Sequence, residues 1–280
     1  MASLPADLAP AAIQRQLRSR TIGRSLEVHA EAGSTNDLAM AAGAAGVPDG
    51  HCVLADRQSA GRGRLSRRWE SPGGLGLYVS ILLRPPVPVA QAPLLTVVAG
   101  VAVCDALSET AAVSPGLKWP NDVLLDGRKV AGILSELAAS GSAIRHVVVG
   151  IGINVNHRSE DFPEELQPLA GSLFLATGRL FSRDTVAAAL FNHFDRLYAL
   201  FCAGERRVLV EAARQRSVVL GRRVALIDGK ERWEGHAVDL DEDGALLVRD
   251  AAGVVRCVHA GDVSLRSAEN DQRSNDAMTQ

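Results

Sequence analysis

One apolar segment, HVVVGIGINVN at residues 146–156, gives the clearest indication of the fold. Its aliphatic residues predict a β-strand, and because side chains alternate along a strand, Gly150 and Gly152 lie on the same face. That face carries no side chain at two successive positions, and Asn154 continues it. Either another element packs flat against the glycines or a ligand lies there.

A β-hairpin is predicted before this strand. Residues 123–134 consist of an apolar run, an Asp126-Gly127 turn and a second apolar run. Lys129 begins the returning strand, next to residues that should be buried. Its ammonium group therefore needs an anion or a carbonyl as partner, unless the side chain extends from the turn into solvent. Both interpretations stay open for the lysine alone.

Polar and charged residues also lie just before the hairpin, in the segment Lys118-Trp119-Pro120-Asn121-Asp122. Proline restricts the residue before it to an extended conformation, so we expect Lys118, Asn121 and Asp122 to leave a strand end together. A cation, an amide and a carboxylate presented so closely indicate ligand chemistry.

An arginine-rich loop is predicted earlier in the chain, between strands at residues 52–55 and 77–82. Its sequence is AGRGRLSRRW, residues 60–69. The glycines permit close backbone approach, and the arginines supply planar forks for a carboxylate or a phosphate. A solvated basic loop is the alternative interpretation. The loop does not match the Walker pattern, because no Lys-Ser or Lys-Thr follows the glycines.

Three polar residues, Ser34, Thr35 and Asn36, precede a predicted helix that begins near Leu38. Such residues are most often helix caps, and capping is the favoured interpretation of this segment alone. Their hydroxyl and amide groups can also hold a polar ligand at the helix N-terminus. Gln58 lies between the 52–55 strand and the arginine-rich loop.

The rest of the chain divides into a large α+β part and a small all-β part. Helices are predicted at 93–107, 184–201 and 205–215, and a short helical lead at 11–20. After residue 220, short strands alternate with turn signals, which is typical of a small barrel of SH3-like size. The predicted divisions are residues 1–24 (lead), 25–219 (main domain), 220–267 (barrel) and 268–280 (disordered tail).

The composition is that of an ordinary soluble protein, with 47% hydrophobic and 22% charged residues among 280 and a net charge of -2. That charge gives no global attraction to nucleic acid or to membranes, and no DNA-binding module is visible. Four scattered cysteines without metal-site spacing favour a reducing cytoplasm. The N-terminus does not look like a signal peptide, and no uninterrupted apolar stretch reaches the roughly 18 residues of a membrane span.

Taken together and in this order, the motifs resemble those of biotin protein ligases. The resemblance extends from about residue 25 to residue 267 and rests on several short segments. They are Ser34-Thr35-Asn36, Gln58 with Gly61-Arg62-Gly63-Arg64 through Trp69, Lys118 to Asp122, Arg128 to Leu134, Gly150 to Asn154, Gly244 to Leu247, and Ser264 to Ser267. Each motif is weak by itself.

The resemblance implies a fold and a two-step reaction. The fold would be a central mixed β-sheet with flanking helices, like that of class II aminoacyl-tRNA synthetases and biotinyl-lipoyl ligases, plus the C-terminal barrel. Biotin and ATP, with Mg²⁺, would first give biotinyl-5′-AMP and pyrophosphate. A lysine of a biotin carboxyl carrier domain would then attack the mixed anhydride. The resemblance leaves a homodimer through an edge of the central sheet open.

The resemblance also assigns roles to individual residues. The biotin-binding set would be Ser34, Thr35, Asn36, Gln58, Gly61, Arg62, Gly63, Arg64, Lys129, Gly132, Gly150 and Gly152. The ATP-binding set would be Arg64, Arg67, Trp69, Lys118, Asn121 and Asn154, with Trp69 stacked on adenine. The catalytic set would be Lys129, Arg64, Arg62, Lys118 and Asp122, in which the cations stabilise charge that develops at the α-phosphate and Asp122 orients or deprotonates the incoming amine.

Two departures from the family pattern limit what the resemblance implies. The loop has Leu65-Ser66 where the family often has an arginine or lysine followed by glycine, and the DNA-binding domain of the bifunctional members is missing. We therefore expect a monofunctional ligase. A lipoate–protein ligase and a biotin-binding sensor without turnover stay open as alternatives.

Overall fold

Two β-sheets and six α-helices make up the protein in the computed structural model, which describes residues 7–228, 231–259 and 261–265. The strands are β1 Leu26–Ala32, β2 Cys52–Gln58, β3 Gly76–Leu83, β4 Gly116–Lys118, β5 Asp122–Leu125, β6 Arg128–Ser140, β7 Ala143–Asn154, β8 Arg223–Asp228, β9 Glu231–Leu240, β10 Leu246–Arg249, β11 Val255–Val258 and β12 Asp262–Leu265. The helices are α1 Pro10–Gln16, α2 Thr35–Ala44, α3 Leu94–Ala111, α4 Leu173–Thr177, α5 Arg183–Cys202 and α6 Arg206–Arg216.

The larger sheet has seven strands in the order β1-β2-β3-β7-β6-β5-β4. Only the β1–β2 pair is parallel, so the sheet is mixed, as predicted. The glycine-containing strand β7 lies in the middle, between β3 and β6. In this register Gly152 is opposite Gly132 of β6, and Gly150 is opposite Ser80 of β3. The bare surface predicted on one strand therefore extends across two.

The helices bury the two faces of this sheet in different ways. The long helices α3 and α5 pack together over one face and form the main core with β3, β6 and β7. Helix α2 packs on the other face, where a smaller cluster forms around Val53, Leu82 and Val148. Helix α3, with the short turn before it, is long and apolar enough to cross a bilayer, but most of it is buried inside the protein.

The C-terminal sheet has five antiparallel strands in the order β11-β10-β9-β8-β12. It shares its core with the larger sheet, because residues such as Leu240 and Leu246 belong to the same buried cluster as α3. The Trp119 indole also donates a hydrogen bond to the Gly244 carbonyl across this junction, at 2.9 Å. The two sheets are thus joined next to the 118–122 segment.

The predicted N-terminal helix is shorter than expected. It ends at Gln16 instead of Arg20, because the backbone N–H groups that follow bind side chains of α5 rather than helical carbonyls. Asn192 accepts from Arg18 and Ser19, and Asp195 accepts from Arg20, Thr21 and Ile22. The disordered tail predicted at 268–280 lies outside the described residues, as do Arg266 and Ser267.

A fully buried arginine connects the N-terminal segment to both the sheet and α5. Arg183 has no exposed surface, and its guanidinium pairs with Asp7 and Asp56, each at 2.6 Å. The guanidinium lowers the pKa of Asp7 by hydrogen bonding. Asp56 also accepts a hydrogen bond from the Gly74 backbone, so the same carboxylate holds the loop that enters β3.

We expect Arg183→Met to lower the free energy of unfolding by about 3 kcal/mol, because the change leaves two partly buried carboxylates without their partner. The measurement is equilibrium urea unfolding. The matched control is Arg196→Met, which removes an arginine that is 60% exposed and pairs with Asp105. Its cost should stay below about 1 kcal/mol. Equal costs for both variants would contradict the structural role of Arg183.

Candidate functional site

A cleft opens on the α2 side of the larger sheet and encloses an empty volume of about 490 Å³. Its floor is formed by β3, β6 and β7, one end by the start of α2, and its roof by the arginine-rich loop. The lining residues are Ser34, Thr35, Asn36, Gln58, Arg62, Gly63, Arg64, Trp69, Val79, Asn121, Lys129, Gly132, Ile133, Leu134, Gly150, Ile151 and Gly152. Most of the predicted site residues are therefore brought together.

The polar end of the cleft is the N-terminus of α2. Ser34 is the N-cap residue of α2, as the capping interpretation of the segment predicts, but its side chain makes no capping hydrogen bond. The Gln58 side chain instead accepts the backbone N–H of the next residue, Thr35, at 2.9 Å. Ser34, which makes no capping bond, lines the cleft.

Two protein side chains partly cover the glycine face, while Gly132, Gly150 and Gly152 still line the cleft. A Cβ atom on Gly150 would lie 2.1 Å from Asn36 Oδ1, and one on Gly152 would lie 2.4 Å from the indole nitrogen of Trp69. A Cβ on Gly132 would meet the same indole at 2.9 Å. The three glycines therefore let an amide and an indole lie directly on the sheet. The indole N–H of Trp69 is buried there with no hydrogen-bond partner among the described residues.

The arginine-rich loop is closed on itself at its base. Arg62 and Arg68 form an isolated antiparallel β-bridge, and the backbone N–H of Trp69 donates to the Gly61 carbonyl at 3.0 Å. Leu65 and Ser66 both have left-handed backbone conformations, with φ of 55° and 59°. Side chains with a Cβ disfavour this region, so glycine would adopt the backbone conformation of Ser66 at a lower cost.

Each of the two inner arginines of the loop is held by a partner on the cleft wall. Arg62 forms a bidentate pair with Asp37 of α2, at 2.6 and 2.8 Å, and lies 3.4 Å from Glu136 of β6. Hydrogen bonding by Arg62 lowers the pKa of the Asp37 carboxyl. Arg64 donates to Asn121 Oδ1 at 2.9 Å and to the Gly261 carbonyl at 3.1 Å. The loop thus contacts both sheets.

Lys129 places its ammonium group at the centre of the charged part of the cleft. Nζ lies 2.6 Å from Asp122 Oδ1 and 5.4 Å from the centre of the Trp69 ring. Lys118 approaches the same carboxylate at 3.8 Å. Of the two interpretations of Lys129, the paired one is confirmed, because the side chain meets a carboxylate and an aromatic face.

Five predicted site residues are not among those that line the cleft: Gly61, Arg67, Lys118, Asp122 and Asn154. The buried Asn154 amide donates to the carbonyls of Gly171 and Lys129, so it fixes the backbone that carries the lysine. Gly61 is buried below the loop, and Arg67 is exposed outside the cleft. Asn121 does line the cleft, but its amide is used by Arg64 and by the Ile133 carbonyl.

Three other polar residues of the site were missed by the sequence analysis: Asp37, Ser80 and Glu136. Asp37 and Glu136 look like ordinary surface carboxylates in sequence, and Ser80 stands alone in an apolar strand. The only available signal was positional, since Ser80 and Glu136 lie on the strands that flank the glycine strand. Their contacts depend on strand register, which the sequence does not state.

Comparison with known proteins places the cleft in a family. The model of the biotin/lipoate A/B protein ligase family matches residues 32–154, and that of the biotin protein ligase C-terminal domain matches residues 219–266. A biotin–[acetyl-CoA-carboxylase] ligase of Mycobacterium tuberculosis is 36% identical over 267 residues, which cover 91% of this chain and 96% of that protein. The chain belongs to the biotin protein ligase family.

Two further relatives extend this likeness to a bifunctional protein and to a solved structure. The bifunctional ligase/repressor BirA of Bacillus subtilis is 33% identical over 93% of this chain and 80% of its own length. The biotin protein ligase of Aquifex aeolicus, solved in complex with biotin and ATP, matches with a TM-score of 0.75 and 34% identity. That match covers 88% of this chain and all of the other. The predicted fold class is thereby confirmed.

The charged side chains of the cleft do not form a protein metal site. No cluster of three histidine, cysteine, aspartate or glutamate residues occurs anywhere in the described part of the chain. Asp122 contributes one carboxylate, and Lys129 and Lys118 already neutralise it.

We expect Gly152→Ala to raise the KM for biotin about ten- to a hundredfold, because the added methyl group would displace the Trp69 indole and overfill the cleft floor. The measurement is biotin-dependent ATP–pyrophosphate exchange. Gly33→Ala is the matched control, since a Cβ at Gly33 would have no heavy atom within 4 Å. An unchanged KM in Gly152→Ala would show that no ligand depends on this face.

Proposed function

We propose that the protein attaches biotin to a lysine of a biotin carboxyl carrier domain through biotinyl-5′-AMP. The observation that carries this proposal is the single cleft that holds a flat glycine surface next to Lys129 and two arginines. In the first step a biotin carboxylate oxygen bonds to the α-phosphorus of ATP, and pyrophosphate leaves. In the second, the carrier amine attacks the acyl carbon, AMP leaves, and the amine loses a proton.

The charge distribution of the cleft supports the first step. A carboxylate attacking a phosphate brings two anions together, and the barrier falls where fixed cations face the developing charge. Lys129 stands beside the glycine surface, so it would contact both the biotin carboxylate and the reacting phosphate. Arg62 and Arg64 line the roof above it and would exchange their present partners for substrate oxygens.

The polar end of the cleft supports ring binding at the start of α2. Ser34, Thr35 and Gln58 would bond the ureido group, and the bicyclic ring would lie along the glycine strands. Trp69 lies against both Gly132 and Gly152, which favours contact with the biotin ring. We therefore assign Trp69 to the biotin ring instead of to adenine stacking. Asn36 would position these groups rather than bind biotin, since both amide hydrogens are engaged.

The nucleotide would occupy the side of the cleft near the 118–122 segment. Lys118 lies next to Asp122 there, and Arg67 projects from the outer part of the loop. Asn121 and Asn154 would act indirectly, the first by holding Arg64 and the second by fixing the Lys129 backbone. Asp122 would hold Lys129 and would orient or deprotonate the incoming carrier amine.

The protein would act in the cytoplasm, without a direct repressor role and without membrane attachment. Within the described residues, the segment before β1 contains one seven-residue helix, α1, which packs against α5 and leaves no recognition helix for DNA. The apolar helix α3 belongs to the core. A homodimer would use the outer edge of β6, which β5 covers only as far as Gly132.

We expect Lys129→Ala to lower transfer of labelled biotin to a purified carrier domain by about a hundredfold or more, because it removes the cation at the reacting centre. The assay contains biotin, ATP and Mg²⁺. The matched control is Arg128→Ala, the neighbouring exposed residue, which should transfer at the wild-type rate.

The other outcomes separate the alternatives. Binding of biotin by the wild type without transfer would support a sensor. Transfer of lipoate in place of biotin would support a lipoate ligase, which the matched family model also includes. Full activity in Lys129→Ala would contradict the proposed site.

A further inference from the structure

A serine that no ligand could touch lies directly beneath the polar end of the cleft. Ser80 is on β3, opposite Gly150, and has no exposed surface. Its hydroxyl oxygen lies 2.6 Å from Asn36 Oδ1 and 2.8 Å from Thr35 Oγ1. A hydroxyl carries one hydrogen, so Ser80 can donate to only one of these two neighbours and must accept from the other if both contacts are hydrogen bonds.

The orientation of the Asn36 amide decides which neighbour receives that hydrogen. Asn36 Nδ2 lies 2.6 Å from Glu136 Oε2 and 3.3 Å from the Leu134 carbonyl oxygen. A carbonyl oxygen is only an acceptor, and so is a carboxylate oxygen, so the amide nitrogen must face them. The amide oxygen then necessarily faces Ser80.

The direction of the remaining hydrogen bonds follows from this. Asn36 Oδ1 cannot donate, so the Ser80 hydroxyl donates to it. Ser80 Oγ is then the acceptor for the Thr35 hydroxyl. Gln58 Oε1, at 3.1 Å, is a second and more distant inward acceptor for that hydroxyl, because an amide oxygen has two lone pairs and can also receive the Thr35 backbone N–H. In this series of hydrogen bonds, from Thr35 through Ser80 and Asn36 to Glu136, each donated hydrogen therefore points away from the cleft.

We propose that Ser80, together with Asn36 and Glu136, makes Thr35 a hydrogen-bond acceptor toward the cleft and so selects ligands whose ring presents an N–H group. Ser80 is thus a positioning residue for specificity. With its hydrogen directed inward, Thr35 Oγ1 offers only lone pairs to a ligand. A ring N–H of a cyclic urea can donate to one of these lone pairs. A ring oxygen at the same position would instead bring its own lone pairs against those of Thr35 Oγ1, and the contact would be repulsive. This inference rests on the proposed biotin ligation.

The preference for a ring N–H over a ring oxygen should be large, although the two ligands differ at one position only. A site built to receive a particular N–H rejects an isostere without it, because a buried polar group is then left unpaired. Ser80→Ala removes the nearer inward acceptor of Thr35 without adding volume. The threonine hydrogen is then held only by the longer contact to Gln58 Oε1, so it turns toward the cleft more readily, and the discrimination against a ring oxygen should decrease.

The test compares biotin with the two cyclic carbamate analogues in which one or the other ureido N–H is replaced by oxygen. ATP–pyrophosphate exchange gives kcat/KM for each compound with the wild type and with Ser80→Ala. For one of the two analogues, we expect the preference for biotin to fall by about tenfold or more in the variant. The KM for biotin should rise, while the KM for ATP and kcat change less than about twofold.

Two further variants keep the result interpretable. Ser135→Ala removes a hydroxyl from β6 that bonds Thr96 at 2.8 Å, and its preference ratios should equal those of the wild type. Glu136→Gln tests the other end of the chain if Ser80→Ala does not fold. Its amide can donate as well as accept, so the Asn36 orientation is then held only by the 3.3 Å contact to the Leu134 carbonyl, and the same ratio should fall.

The outcomes distinguish this inference from the proposed function. If the wild type shows no biotin-dependent exchange, the proposed function fails and the inference with it. If the wild type exchanges but neither preference ratio moves in Ser80→Ala or Glu136→Gln, the inference alone is overturned. A uniform loss of activity with all three compounds would likewise overturn it, because it would assign Ser80 a structural role only.

Discussion

The structure of the site depends on the absence of side chains at Gly132, Gly150 and Gly152. These positions lie on two paired strands in the middle of the sheet, and the space that they leave lets Asn36 and Trp69 contact the strand backbone directly. The polar end of the cleft, its roof and its lysine are all built against that surface. Any residue with a Cβ would push the amide or the indole away, so the glycines set the depth of the cleft.

Electrostatic preorganisation is the second constraint. The cations that face the cleft already have defined partners: Arg62 is held by Asp37, Arg64 by Asn121, and Lys129 by Asp122. Such pairs fix the long side chains at the cleft wall, where Lys129 would face the charge that develops in the proposed reaction and Arg62 and Arg64 would exchange their partners for substrate oxygens. They also hold the arginine-rich loop over the glycine surface, where it would shield a hydrolysable adenylate from water.

Local patterns in the sequence predicted the strands, the hairpin, the α3 core helix and the glycine face, because alternation, turn residues and apolar runs act over short distances. The charged partners could not be predicted in the same way. Asp37 and Arg62 are brought together only when α2 and the loop fold onto the same sheet, and Ser80 reaches Asn36 only through the pairing of β3 with β7. The end of α1 at Gln16 also depends on tertiary contacts, because side chains of α5 accept hydrogen bonds from the backbone N–H groups that follow the helix.

We propose that this cleft forms an acyl adenylate on the glycine surface. The most direct measurement is mass spectrometry of the protein after incubation with biotin, ATP and Mg²⁺ in the absence of any carrier. We expect stoichiometric biotinyl-5′-AMP bound to the protein, which disappears when the carrier domain is added while biotinylated carrier and AMP appear. Recovery of unchanged biotin and ATP, or of an adenylate that the carrier domain does not consume, would contradict it.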